Sequence, residues 1–340
     1  MTAGFSPDGK KVVTTSSNAT LQIWDANSGK ELHRLEWRDK DTGLGASTAL
    51  FFPNGKHIAA WTHSDSSFVV FWNTESAKVL HNLEEHVGVI YAIALSPNGT
   101  TFATGNPQNT LSIWDVDSEK ELHALKGHTN SIGSIAFSSD GKKIVTTSYD
   151  KTVRLWDTES GTELQQLNIG VSVAVFTPDG KKFVTAGGDG PARIWDAESG
   201  KGLQKFNGSI NTVRSIIFSP DGKKFVTTDW DHFRGTVPNK RAAQMWDIES
   251  GKMLRTFDGY MVTFSPDSKK VAFVGADTNS VIRIWESDTG KEWEVPGHPG
   301  FITSVDISPD GKRIVSAGFG GTVRIWDLER TRPLPPIRDF

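Results

Sequence analysis

A nucleophile, a base and an acid stand near one another in mid-chain: Ser148, His128 and Asp150, with Trp156 just beyond. These are the side-chain types of acyl-transfer catalysis, in which a hydroxyl attacks, an imidazole takes its proton and a carboxylate holds the imidazole. Other stretches suggest other chemistry. Asp-rich turns recur, but each Asp sits beside Gly in a tight turn, and no loop gathers the oxygens of a calcium site at ligand spacing. No metal is expected. Gly187-Gly188-Asp189-Gly190 resembles a phosphate loop but precedes a strand ending at Trp195 rather than a helix N-terminus, so no cofactor is expected. Cysteine is absent, which removes disulfides, thiolate zinc sites and cysteine nucleophiles together.

The elements that must position these residues repeat. Trp24, Trp72, Trp114, Trp156, Trp195, Trp246, Trp285 and Trp326 stand 48, 42, 42, 39, 51, 39 and 41 residues apart, and all but Trp72 and Trp285 are followed by Asp. Upstream of each lies a turn such as Ser219-Pro220-Asp221-Gly222, where Pro presets φ, Asp bonds the local backbone and Gly supplies positive φ. Runs such as Ser131–Phe137, Lys143–Thr147, Thr152–Trp156 and Glu121–Leu125 read as strands. Each unit therefore holds four antiparallel strands, called a, b, c and d below. The period is that of a propeller blade, and eight units use up the chain as a single domain over 1–340.

The units resemble the WD-repeat family. The Trp-Asp pairs carry the resemblance, with Gly127-His128 and Gly297-His298 before strand a and Asp150 and Asp189 between strands b and c. It implies an all-β, eight-bladed β-propeller with strand a lining a channel. The d–a and b–c connections then share one face, the top, and the a–b and c–d turns form the bottom. It also implies that His128, Ser148, Asp150 and Trp156 are a structural hydrogen-bonded tetrad and not a catalytic triad.

A net charge of −3, from 37 Lys+Arg against 40 Asp+Glu, gives no drive toward nucleic acid. There is no apolar run of membrane-spanning length. A cytoplasmic monomer without nucleic-acid or membrane partners is the expectation. Met1 falls inside strand a of the first unit, so the chain reads either as a segment of a longer one or as a ring with a weak seam, closed by packing between first and last blades. Lysine pairs such as Lys142-Lys143 and Lys181-Lys182, interleaved with c–d turn acids, predict a solvated, self-neutralised bottom face.

Departures from the repeat point elsewhere. The d–a loop around Trp37, the b–c loop from His63 to Phe68 and the b–c loop containing Trp230 and Phe233 are longer than their counterparts, and topology puts all three on the top face. Alignment of the units puts His63, Tyr149, Trp230 and Phe319 beside the b–c turn, and Val89, Tyr91, Arg214, Tyr260 and Phe301 at the start of strand a. Aromatics with an arginine have the composition of an interface core. The plainer reading is that some of these rings are simply core. The expectation is a non-enzymatic scaffold binding a protein or peptide at the top face. The alternatives are a propeller hydrolase or dehydrogenase with its site at the channel mouth, or a regulatory repeat domain of a longer chain.

Overall fold

The structure, a computed structural model, describes residues 2–16, 20–36, 48–61, 69–82, 90, 92–106, 108–118, 120–188, 190–208, 213–228, 242–275, 280–295, 298, 300–319, 321–328 and 332–333. The local chemistry of one repeat explains its shape. In the sixth unit Ser219 Oγ donates to Asp221 Oδ1 at 2.6 Å and accepts from Lys224 N at 2.9 Å. Gly222, at φ 68°, closes the turn with its N–H on Ser219 O. The chain then runs back as strand b (Lys224–Thr228). Ser268 takes the glycine place in the seventh unit at φ 61°, a left-handed conformation that costs a residue with a Cβ.

The Trp-Asp pair has two separate jobs. The carboxylate builds the next turn: Asp157 Oδ1 accepts Ser160 N at 2.8 Å and Ser160 Oγ at 2.7 Å, as Asp25, Asp196 and Asp247 do for Ser28, Ser199 and Ser250. Asn73 does the same for Ser76, which explains why Asn can follow Trp72. In the first, third and fifth units the indole is buried and donates to a hydroxyl on strand b, Trp24 to Thr14, Trp114 to Thr104 and Trp195 to Thr185 at 2.9 to 3.0 Å.

All described elements are strands, in seven antiparallel sheets. Six sheets have four strands in sequential order, and the seventh has seven, because one twelve-residue strand (Met253–Phe264) serves as d of one unit and a of the next. Among the described residues no helix is long and apolar enough to cross a membrane. The predicted strands hold to within a residue: Ile132–Phe137, Lys143–Ser148 and Val153–Asp157 in the fourth unit and Glu121–Leu125 in the third. Of the expected outer strand of the last unit, only Arg332–Pro333 lies in the described residues, paired with Trp326 and Asp327.

Two compact bodies divide the chain, residues 1–86 with 258–340 and residues 87–257. In the second, the third to sixth units follow one another through strand a, and an apolar layer fills each joint. Phe206, Phe225 and Trp246 belong to one such layer, and Leu155, Phe183 and Trp195 to another. In the first body, strand a of the first unit (Ala3–Phe5) lies against strand a of the eighth (Ile302–Ile307), over a core of Phe5, Trp24, Val315 and Ile325.

That last joint is not held by packing alone, as the sequence led us to expect. Asp306 Oδ2 accepts the Phe5 N–H at 2.9 Å, and Ser304 Oγ donates to Ala3 O at 3.0 Å. Arg313 donates to Ala26 O and Asn27 Oδ1 at 2.9 Å and to Gly9 O at 2.8 Å, with its guanidinium 5.6 Å from the Phe5 ring centre. Polar side chains tie this seam, across which no strand is exchanged among the described residues.

Candidate functional site

The residues that promised chemistry form a directed chain of hydrogen bonds. His128 Nδ1 meets Asp150 Oδ2 at 2.9 Å, and its Nε2 meets Thr146 Oγ1 at 2.8 Å. Trp156 Nε1 donates to the same Thr146 Oγ1 at 3.0 Å. Burial works to raise the Asp150 pKa, but bonds from Thr129 N–H, Thr152 and His128 outweigh it and hold the carboxyl at about 2. An ionised Asp150 only accepts, so Nδ1 of His128 carries the proton, Nε2 accepts, and the Thr146 hydroxyl donates to it. Burial, stronger than the pull of Asp150, lowers the His128 pKa and keeps the ring neutral. Gly127 precedes His128 for a steric reason: a Cβ there would stand 2.6 Å from Arg154 Nη1 and 3.0 Å from the Trp156 ring.

The hydroxyl in this chain is Thr146, not Ser148, which corrects the expected tetrad. Ile144 pairs with Trp156 across the sheet, and the side chain two residues on, on the same face, is the one the indole reaches. Ser148 is one further step toward the turn, where it donates to Asn130 O at 2.8 Å and accepts from Asp150 N at 3.0 Å. A hint was available in the sequence, since Thr14, Thr104, Thr146 and Thr185 each stand ten residues before a repeat tryptophan.

Thr146, His128 and Asp150 thus have the hydrogen-bond connectivity of a hydroxyl–imidazole–carboxylate triad. Catalysis also needs a carbonyl carbon at the hydroxyl, and Thr146 is fully buried, with its oxygen already engaged by Trp156 and His128. The arrangement ties the d–a loop to strands b and c and leaves no room for a substrate. Among the described residues no group of three or more metal-ligating side chains converges.

The surface candidates divide sharply. Tyr149 is 72% exposed, Phe301 52% and Phe319 57%, and Arg214 is exposed. Phe301 and Phe319 meet edge to face, ring centres 6.3 Å apart. Tyr260 is a correction: it is 1% exposed. The seventh unit has no d–a loop, because Met253–Phe264 runs through unbroken, so Tyr260 lies in mid-strand opposite Val274 and not at a loop end. Trp37, His63, Val89, Tyr91, Trp230, Phe233 and Asp189 lie outside the described residues.

Tyr149 also walls a concavity of about 780 Å³ in the second body, with Gly133, Lys151, Gly170, Val171, Ser172, Gly188 and Arg214. Its floor depends on glycine: at φ 84° and 72°, Gly187 and Gly188 pass so close to Val213 O and Gly170 O that a Cβ would collide. Lys151 was not singled out from the sequence. Nor was Asp306, although an acid inside the apolar run of a strand a was a visible anomaly; Arg313 reads from the sequence only as one of the basic pairs after the turns.

The lysine pairs and the c–d turn acids neutralise one another as their interleaving leads one to expect, Lys143 with Glu198 and Lys269 with Asp288. Lys143 Nζ donates to Ala197 O at 3.0 Å and pairs with Glu198 at 2.7 Å, which joins the fourth unit to the fifth. His123 and Gln165 reach the next unit's turn in the same way, at Glu159 O and Glu198 O.

Comparison with known proteins agrees with this architecture. The family described as WD domain, G-beta repeat, matches residues 1–25, 77–115, 119–157, 200–233 and 291–327, together just over half of the chain. Cilia- and flagella-associated protein 52 of Chlamydomonas reinhardtii is 32% identical over 107 residues, 30% of this chain and 17% of that protein. MST50-interacting protein 11 of Pyricularia oryzae is 35% identical over 74 residues, 22% of this chain and 23% of that protein. The chain thus spans less than a quarter of either relative. The crystal structure of the computationally designed Ika8 protein superposes with a TM-score of 0.75 at 21% identity, over 96% of this chain and 95% of that one. With the repeated indole-to-hydroxyl bonds, Asp-built turns and four-stranded sheets, these matches show that the chain belongs to the WD-repeat family of β-propellers.

Proposed function

We propose that residues 1–340 form one ring of eight blades, a monomeric, non-enzymatic scaffold that binds a protein or peptide at the face carrying the d–a and b–c connections. One observation carries this reading. Tyr149, Phe301 and Phe319 all emerge from such connections with half or more of their surface in water, although each belongs to a residue type that folding normally buries. The polar groups beneath Tyr149 are consumed by the His128 chain, which supports a rigid platform over a reaction centre. The name of the Pyricularia relative, an interacting protein, agrees with a binding role.

The test is capture of partners from the source cell by immobilised protein, compared with two double variants. Tyr149→Ala with Trp230→Ala should lose partners bound by the parent protein, while Lys181→Glu with Lys182→Glu should keep them. An anchor aromatic typically contributes about 2 kcal/mol or more to binding, enough to empty the column. The opposite pattern would place the binding face at the bottom.

A further inference from the structure

We propose that the concavity beside Tyr149 is built for an acidic segment of a partner protein, with Lys151 and Arg214 as its charge contacts and Tyr149 as its wall. This rests on the top-face reading above and adds the partner's chemistry. Among the described lining residues there are two cations, both exposed, and no carboxylate. Neither cation has a side-chain ion pair among the described residues. In the same body Lys143 pairs with Glu198 and Arg154 with Glu163, so these two cations are already neutralised by the fold while those of the concavity face it without a carboxylate among its described lining. The volume of about 780 Å³ lies within the range of ligand pockets.

The backbone supplies an independent argument. Lys151 holds φ 65°, a left-handed conformation. The equivalent turn positions in the third and eighth units are Asn109 at φ 64° and Gly321 at φ 80°, the two residue types that tolerate this region best. A lysine there is less favourable for folding than glycine, and its ammonium makes no ion pair within the described fold that would offset the cost. Ala77, Met261 and Ser268 hold similar φ elsewhere in the chain, but Lys151 is the one that also lines this concavity, which is why its conformation motivates a functional assignment. Two cations are too few for a nucleic-acid backbone, whose affinity comes from many phosphate contacts. They suit two or three carboxylates on a short extended segment, with an apolar side chain against the Tyr149 ring.

The experiment probes an array of random peptides about eight residues long with the labelled full chain. Bound peptides should be enriched in Glu and Asp. Lys151→Glu with Arg214→Glu should abolish that enrichment, and the best acidic peptide should bind this variant at least about tenfold more weakly in solution. Lys151→Gly gives a second readout, since it should melt at a higher temperature than the parent yet bind the acidic peptide more weakly. Bound peptides without acidic enrichment, enrichment that survives the charge reversal, or displacement of the peptide by a single-stranded oligonucleotide would each overturn the proposal. If bound peptides depend on Tyr149 but are not acidic, the top-face reading stands and this inference alone fails.

Discussion

The fourth and eighth units share a backbone frame and differ in the chemistry inside it. In both, the first residue of the b–c turn donates its N–H to the residue before strand a, Tyr149 to Ser131 and Phe319 to Phe301, and presents an aromatic ring outward. Beneath, the fourth unit ends its chain on a carboxylate. The eighth replaces that acid: His298 Nδ1 meets Thr322 Oγ1 at 2.6 Å, and Nε2 meets Ser316 Oγ at 2.8 Å, to which Trp326 donates at 3.2 Å. Gly318 makes room for this ring, since a Cβ there would stand 2.8 Å from it. The eighth unit carries its buried acid in strand a instead, as Asp306 at the joint with the first unit. One backbone can therefore be stabilised by an ionised network or by a hydroxyl relay, and the carboxylate is free to serve a different joint.

The largest effect expected from this contrast is at the histidines. His128→Ala leaves the buried Asp150 carboxylate without its imidazole and should cost about 3 kcal/mol in urea unfolding. His298→Ala strands only hydroxyls, which can rotate toward other acceptors, and should cost about 1 to 2 kcal/mol. Equal losses would mean that the carboxylate adds nothing.

Opposite pH signatures should follow next. Asp150 is held below its ordinary 3.8, at about 2, so its contribution is complete above 3.8 and disappears as pH falls toward 2; it amounts to roughly 2 kcal/mol. His128, lowered by burial, acts in the same direction, and its contribution is lost as pH falls below 6.5. Asp306 is raised by burial, against the N–H bonds of Phe5 and Ile307, so its contribution is present below 3.8 and is lost as pH rises through its folded value. Asp150→Asn should flatten the acid limb of the melting-temperature profile. Asp306→Asn keeps an acceptor for Phe5 N–H and should melt no lower than the parent at pH 7. A large destabilisation by the latter at pH 7 would show that its charge is required.

The smallest expected effect separates the lateral ties. Arg313→Ala removes three acceptor contacts and a ring contact and should cost about 1 to 2 kcal/mol, with faster hydrogen exchange in Ala3–Phe5. Lys143→Ala should cost about 0.5 kcal/mol, because its partner Glu198 is exposed. Unchanged exchange in Ala3–Phe5 would return the seam to packing alone.

Much of this was legible in the chain. The Trp period, the Ser-Pro-Asp-Gly turns and the β-branched runs gave units and strands, because each depends on neighbours within a few residues. The Asp150–His128 pairing was legible through a resemblance. Which hydroxyl joined it was legible only through the ten-residue spacing to the tryptophan, because Thr146 and Ser148 lie on the same strand face and the register against Trp156 separates them. Tyr260 was misplaced for a related reason: alignment assumed a loop where the strand continues.

The sequence by itself determined that the chain is a β array of repeated four-strand units with buried indoles, since turn chemistry and side-chain alternation are local and recur unit by unit. Tertiary structure alone decided what the exceptional residues do. Asp306 and Arg313 became a seam because residues some 300 positions apart meet there, as Phe5 and Asp306 do. Tyr149, Lys151 and Arg214 came to line one concavity because two glycines let neighbouring turns approach. Contacts of that range depend on how units pack, and no local pattern encodes the packing.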